Sequence, residues 1–266
     1  MLTKSHGLGN DYLVADPAEL PFRVTPERVR LLCDRHVGVG SDGLLLLDGQ
    51  TGVRIFNPDG SEAEKSGNGL RIFSRWLYDT RRVASERFTV HTLGGDAVAE
   101  VRGARVTVDM GVPRFRDDLA ELDVDGERLG VVALSIGNPH CVILRERLDG
   151  AELRRLGPLV EQHPAFPNRT NVQLARAVDR RQVELLIWER GAGETRASGS
   201  SACAVVAACR RLDLVDGQTD VTASMPGGQL QVRVDEQGRL QMNGPVEEVA
   251  YITLSPDLIA RLQALP

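Results

Sequence analysis

The chain has 266 residues, enough for one or two domains, and its 42% hydrophobic content is enough to bury ordinary cores. A formal net charge of −5 and a pI near 5.6 exclude a global attraction to nucleic acid or to an anionic membrane. No apolar stretch is long enough to span a bilayer, and Met1-Leu2-Thr3-Lys4-Ser5-His6 lacks the apolar core of a signal peptide, so a cytoplasmic protein is expected. Cys33, Cys141, Cys203 and Cys209 show no close paired spacing and sit in apolar segments, which predicts buried free thiols. Together with the five histidines they form no metal-ligand spacing, so no metal is expected.

In chain order, Tyr12 to Ala15 reads as a strand. Thr25 is an N-cap and Pro26 suits the first helical turn. Val29, Leu32 and Cys33 then share one helix face up to His36. Val53 to Asn57 reads as a strand leading to a polar turn, and an apolar helix follows from Leu70 to Tyr78, with Arg71 and Arg75 needing an outlet. Phe88 to Thr92, Ala97 to Val101 and Arg105 to Asp109 are predicted strands with glycine-containing turns between them. Val131 to Leu134 and Cys141 to Leu144 are further strands. A polar helix from Ala151 to Leu156 meets Gly157-Pro158. Strands follow at Thr170 to Ala175, Val183 to Trp188, Thr219 to Ala223, Leu230 to Val234 and Leu240 to Met242. Ser255-Pro256 caps a closing helix with Leu258, Ile259 and Leu262 on one face.

The order of these elements repeats. Ser66-Gly67-Asn68-Gly69 and Ser198-Gly199-Ser200-Ser201 each follow a strand and a turn and open an apolar run (198 − 66 = 132). The offset holds without a gap from Ile55/Ile187 through Glu62/Glu194 to Gly69/Ser201. Gly9-Asn10 matches Gly137-Asn138, and Val90 to Gly95 matches Ala223 to Gly228. Three matches in order imply two similar domains, with a crossover near Gly111-Val112-Pro113. The expected boundaries are 1–113, on which a closing segment of about 250–266 packs, and 114–249. The helix from Ala202 to Cys209 is apolar all round and should be enclosed on every side. The expected fold is α+β: two pseudo-symmetric domains, each a curved, mostly antiparallel β-sheet wrapped around a central α-helix. The active site is expected in the interdomain cleft.

A helix start carries unpaired N–H groups and a partial positive charge, and glycine lets a ligand approach that backbone. The two Ser-Gly turns therefore read as anion cradles on either side of one cleft. Neither has the lysine of a P-loop or the spacing of a dinucleotide motif, which argues against a nucleotide phosphate. Asn10, Asn57, Asn138 and Asn171 offer donor and acceptor without charge. Arg190 can bind a carboxylate through two parallel bonds, and Glu189 can hold an ammonium group. Together these residues suit an amino acid with polar ends. Asparagines also make turns in their own right. His6 and His140 read as satisfied histidines packing under the site, with His140 in a supporting place, and Trp76 and Trp188 as core.

At these residues the chain resembles the diaminopimelate epimerase family. His6-Gly7-Leu8-Gly9-Asn10-Asp11 is similar to the family's opening motif. Phe56-Asn57-Pro58-Asp59-Gly60-Ser61-Glu62, Gly137-Asn138-Pro139-His140 and Glu189-Arg190-Gly191-Ala192-Gly193-Glu194-Thr195 are similar to its internal signatures, in the family's order. The resemblance implies an epimerase without pyridoxal phosphate or any other cofactor, acting on a small-molecule amino acid, and by family analogy a homodimer. It implies two-base proton exchange at the α-carbon of diaminopimelate, the LL and meso forms being interconverted on the way to lysine and peptidoglycan precursors. It puts backbone N–H groups of Asn68, Gly69, Gly199 and Ser200 on the α-carboxylate and Glu189 near the ammonium. It puts Asn57, Asn138, Asn171 and Arg190 around the distal group, with Asn10 and Gly67 completing the substrate-binding set.

The family's two catalytic cysteines stand here as Ser66 and Ser198. A thiol titrates near 8.5 and a helix start lowers it further, whereas a hydroxyl ionises only with help from a base. Four readings stay open: epimerisation through Ser66 and Ser198, a related isomerase or lyase reaction, amino-acid binding without turnover, or an engineered double substitution.

Overall fold

The computed structural model describes residues 1–216 and 219–266. The first half runs β1 (Leu2–Gly7), β2 (Asn10–Ala15), α1 (Pro26–Cys33), β3 (Leu44–Asp48), β4 (Gly52–Phe56), β5 (Glu62–Ala63), α2 (Gly67–Asp79), β6 (Arg87–Val90), β7 (Ala97–Arg102) and β8 (Arg105–Asp109). Next come β9 (Arg114–Phe115), β10 (Glu121–Val124), β11 (Glu127–Gly130), β12 (Val132–Ser135), β13 (Pro139–Leu144), α3 (Gly150–Glu161), β14 (Asn171–Asp179) and β15 (Gln182–Glu189). The second half continues with β16 (Gly193–Thr195), α4 (Gly199–Arg211), β17 (Val221–Met225), β18 (Gly228–Val234) and β19 (Leu240–Pro245), and the chain closes with β20 (Glu247–Ile252) and α5 (Pro256–Ala264).

Two compact units form: Met1–Val108 with Pro245–Pro266, and Asp109–Gly244. In the first, strands lie in the order β20-β1-β2-β3-β4-β5. β6, β7 and β8 extend the surface as an antiparallel meander, and a parallel bridge from Gly52 to His91 joins it to β4. In the second unit the order is β9-β12-β13-β14-β15-β17-β18, with β16 on β15 and β19 paired to β18. Here the parallel joint is a longer ladder, Gln182–Glu184 against Thr222–Ser224. Each unit carries a parallel crossover through its outer helix, β2-α1-β3 and β13-α3-β14, and a parallel joint across its central helix, and is otherwise mostly antiparallel.

The central helices explain the curvature. α2 lies against β1, β2 and β7, and α4 against strands from β12 to β18. Every residue of α4 from Ser201 to Cys209 is buried, so the sheet must bend around it to remove that surface from water. In the first unit a second core forms on the other sheet face, where α1 and α5 cover Leu13, Leu44 and Phe56. α5 is held there by Arg28, whose Nε donates to the Leu262 carbonyl at 2.8 Å and Nη2 to the Leu265 carbonyl at 2.6 Å.

Three expectations are corrected. α1 stops at Cys33 and does not reach His36, because the Asp34 carboxylate accepts from the N–H groups of His36 (2.7 Å) and Val37 (2.8 Å) and turns the chain. α3 runs through Pro158 to Glu161. Proline removes one helical bond, but Leu153, Leu156 and Val160 are buried on one face. Gly157 sits so close to the Trp188 ring that an added Cβ would lie 2.6 Å from it. Packing thus outweighs the local breaker. Arg71 finds no outlet to water: it is fully buried, and its Nη2 donates to Asn68 Oδ1 at 2.7 Å. Strands β1, β3 and the β10–β11 hairpin carry no periodic signal strong enough for the sequence reading to have found them.

Candidate active site

α2 and α4 begin alike. Ser66 (φ −135°, ψ 122°) and Ser198 (φ −145°, ψ 123°) are both N-caps, and both helices have 13 residues. Ser66 Oγ accepts from Gly69 N–H at 3.1 Å, and Ser198 Oγ from Ser201 N–H at 3.5 Å. Each cap therefore takes up its third helical N–H. The N–H groups of Gly67 and Asn68, and of Gly199 and Ser200, precede the helical ladder and have no intrahelical acceptor. The strand before each cap is tethered in the same way: Gly94 N–H donates to Glu64 O at 2.8 Å, and Gly227 N–H to Arg196 O at 2.7 Å. Two matching helix starts result, each leaving two N–H groups without an intrahelical acceptor, the arrangement that suits an anion.

Behind the first cradle lies a chain of polar side chains. Asn68 Nδ2 donates to Asn10 Oδ1 (3.1 Å), and Asn10 Nδ2 donates to Asp42 Oδ2 (3.0 Å). Arg35 Nη2 bridges Asp42 (2.7 Å) and Asp11 (2.6 Å), and Lys4 Nζ meets Asp11 at 3.0 Å. Burial raises the Asp11 carboxyl, but hydrogen bonds from Arg35 and Lys4 outweigh it and hold the group below the ordinary carboxylate value. Asn10 and Asn68 are thus linked and oriented together. Asn57 stands apart from this chain, in the turn between β4 and β5, where its Nδ2 donates to Ser61 Oγ at 3.0 Å. His6 is half-buried at the end of β1, 3.6 Å from Glu247, rather than packed beneath a site.

The second unit gathers more of the expected residues. His140 is fully buried between Asn138 Oδ1 (3.0 Å) and Gln173 Nε2 (3.1 Å). Gln173 Nε2 also donates to Ser201 Oγ at 3.0 Å, which ties this group to the start of α4. Burial drives the His140 pKa down to about 3, so the ring is neutral. An amide nitrogen faces Nδ1, so Nδ1 accepts and Nε2–H donates to Asn138. The neutral ring thus holds the Asn138 amide. Asn171 uses both ends of its amide on the protein: Nδ2 donates to Pro139 O (2.9 Å), and Oδ1 accepts from Arg190 N–H (3.0 Å). Glu189 ends β15 opposite Gly193, half-buried beside Arg190.

Nothing local in the sequence marks the residue that holds this loop. Glu161, the last residue of α3, is 3% exposed. It accepts from Gly191 N–H (2.9 Å) and Trp188 Nε1 (2.7 Å) and pairs with Arg169. A glutamate at the end of a polar helix looks solvated in sequence, and only the crossover brings it under residues 188–191. Gln173 and Tyr12 are unmarked in the same way.

The four cysteines are free and buried. Burial pushes the thiols of Cys141 and Cys209 up to about 12 and raises that of Cys33. A neutral buried thiol is inert as a base, so these three do not stand in for Ser66 or Ser198. Among the described residues no group of three or more His, Cys, Asp or Glu side chains could hold a metal ion. No helix among them is long and apolar enough to cross a membrane.

The family model described as diaminopimelate epimerase matches residues 2–116 and 132–249, passing over the segment that carries the β10–β11 hairpin. Diaminopimelate epimerase 2 of Nostoc sp. (strain PCC 7120) is 42% identical over 276 residues, covering 97% of this chain and 96% of the relative. Diaminopimelate epimerase of Pelotomaculum thermopropionicum is 41% identical over 274 residues, covering 93% of this chain and 96% of the relative. Among solved structures, a probable proline racemase from Agrobacterium radiobacter K84 shares the fold, with a TM-score of 0.72 at 15% identity, over 96% of this chain and 93% of the other. Matched along nearly its whole length by the family model and by relatives above 40% identity, the chain belongs to the diaminopimelate epimerase family.

Proposed function

We propose that the protein is a cofactor-independent amino-acid epimerase that interconverts LL- and meso-diaminopimelate by moving a proton at one α-carbon. The reading rests above all on the paired N-caps at Ser66 and Ser198, which repeat to within about ten degrees of backbone angle in a chain of this family. In this reading the two cradles face one cleft and grip one carboxylate. The N–H groups of Gly67, Asn68, Gly199 and Ser200 take its oxygens, Gly67 standing in for the Gly69 that the resemblance implies because the Gly69 N–H is taken by Ser66 Oγ. Two helix ends then stabilise the charge that flows into the carboxylate as the α-proton leaves. Asn10 holds Asn68 in place. Glu189 takes the ammonium group. Arg190, set by Asn171 and Glu161, takes the distal carboxylate together with Asn138 and Asn57, and His140 fixes the Asn138 amide. Ser66 and Ser198 approach the α-carbon from opposite faces as the acid and base. The homodimer expected by family analogy belongs to the same reading, and sedimentation analysis checks it.

Incubation with LL-diaminopimelate in deuterium oxide tests the reading. The expected result is deuterium at the α-position, read by mass spectrometry, with meso product on a chiral column. Binding by calorimetry with no exchange would replace it by the second reading, an amino-acid-binding homologue. Serine at both acid–base positions is what favours that alternative, because an unaided hydroxyl is a poor base near neutral pH.

A further inference from the structure

The Ser66 hydroxyl is not alone. Tyr12, in β2, is 6% exposed, and its phenolic oxygen lies 3.2 Å from Ser66 Oγ. The ring lies in a tight slot: a Cβ on Gly43 would come within 2.6 Å of Tyr12 Cε1. Among the described residues no phenol stands in the equivalent place beside Ser198. His140 stands two residues after Asn138, as Tyr12 stands two after Asn10, but it is turned to Asn138 and Gln173. The partners of Ser198 Oγ are instead Ser201 N–H and the Ser200 hydroxyl at 3.4 Å. The two half-sites thus differ in what stands behind the reacting oxygen.

We propose that Tyr12 and Ser66 form a two-membered proton relay, with Ser66 touching the substrate and Tyr12 as the positioning residue that supplies or receives the proton behind it. The proposal rests on the epimerase reading above. The forward half-step starts from the phenolate that Tyr12 becomes when the relay has returned a proton in the preceding turnover. Ser66 donates its O–H to the phenolate, accepts Gly69 N–H on one lone pair and keeps the other for the α-proton. As the α-C–H bond breaks, its electron pair stays on the substrate and spreads into the carboxylate. The α-proton becomes the new Ser66 hydroxyl proton while the old one forms the Tyr12 O–H bond. The reverse step returns a proton by the same route, with no change in oxidation state. Phenols ordinarily titrate near 10, far below an alcohol, so the relay lets a serine work where an isolated hydroxyl would not.

A four-protein cycle tests this: the parent, Tyr12→Phe, Ser66→Cys, and the double variant, each checked for folding by near-ultraviolet circular dichroism. The readout is α-deuterium incorporation into diaminopimelate in deuterium oxide at several substrate concentrations. In the serine parent, Tyr12→Phe should lower kcat by about 100-fold with KM held to about twofold, the size of a lost acid–base partner. In the Ser66→Cys background a thiolate forms without a relay, and the same change should cost less than about threefold. Equal losses in the two backgrounds, or none with serine, overturn the relay and leave the epimerase reading standing. A folded parent that exchanges no deuterium overturns both.

Discussion

The two helix starts share a cap, a length and a tether, yet they rest on different floors. Under α2 lie Tyr12 and Leu45, with the buried guanidinium of Arg71 on Asn68. Under α4 lie His140, Gln173 and the Ser201 hydroxyl, linked by hydrogen bonds. The crossover helices differ as well. α1 ends in Cys33, which accepts from Ser41 Oγ at 3.3 Å, and α3 ends in Glu161, paired with Arg169. What both halves keep is what backbone geometry demands: a serine cap, a glycine after it and an enclosed helix. What they vary is the polar support, which has to satisfy only its local partners. A duplicated scaffold thus carries two unlike polar environments beneath its helix starts.

The largest effect should come from restoring thiols at both caps. Ser66→Cys with Ser198→Cys should raise epimerisation of diaminopimelate by about 100-fold or more, because helix-end thiolates need no auxiliary base. Coupled chiral chromatography measures it, and no gain would show that the two cradles do not meet on one α-carbon. Second in size is the loss of Glu161, a buried carboxylate of the second unit. Glu161→Ala strips the acceptor from Gly191 N–H and Trp188 Nε1 and leaves Arg169 without its partner. A loss of about 3 kcal/mol is expected in urea unfolding, with weaker substrate binding as Arg190 loosens.

Acid should separate the halves next. The folded-state pKa of His140 is about 3, below the 6.5 of an unfolded histidine. The unfolded chain therefore binds more protons between these values, and stability falls as pH drops through that window. The slope attributable to His140 reaches about 1.4 kcal/mol per pH unit. Unfolding at pH 7 and pH 4.5, compared with His140→Gln, measures it; an unchanged difference would mean that the ring takes up its proton as readily in the folded state as in the unfolded one. Asp11, whose folded pKa is lowered, loses its stabilising contribution only at more acid pH, as it falls through the carboxylate range.

The smallest effect exchanges the floors. Gly69 occupies the place that Ser201 holds in the second unit. A Cβ there would lie 3.0 Å from Leu45 Cδ2 and 3.2 Å from Ser66 Cβ. Gly69→Ser should cost about 1–3 kcal/mol by overpacking, read from the urea midpoint. A neutral result would mean that Leu45 yields and that the two floors are interchangeable.

Much of this was legible in the chain. The offset between Ser66 and Ser198, the apolar run after each, and the Gly-Asn pairs placed both cradles and the enclosed α4. Those signals are local, because caps and apolar faces are set within a turn or two. The end of α1 and the passage of α3 through Pro158 were not legible, since the first depends on an aspartate side chain choosing the backbone and the second on Trp188 arriving from another strand. The reach of Tyr12 to Ser66 spans 54 residues, and no pattern in either segment announces it.

The amino-acid sequence by itself determined the repeat, the caps, the enclosed helices and the family of this protein, because each follows from short-range periodicity or from the order of motifs. Only the tertiary structure decided which polar groups stand behind each serine. Tyr12, Arg71, Gln173 and Glu161 take their roles from strands and crossovers that bring distant residues within hydrogen-bond range, and burial then sets the charge state that each can hold.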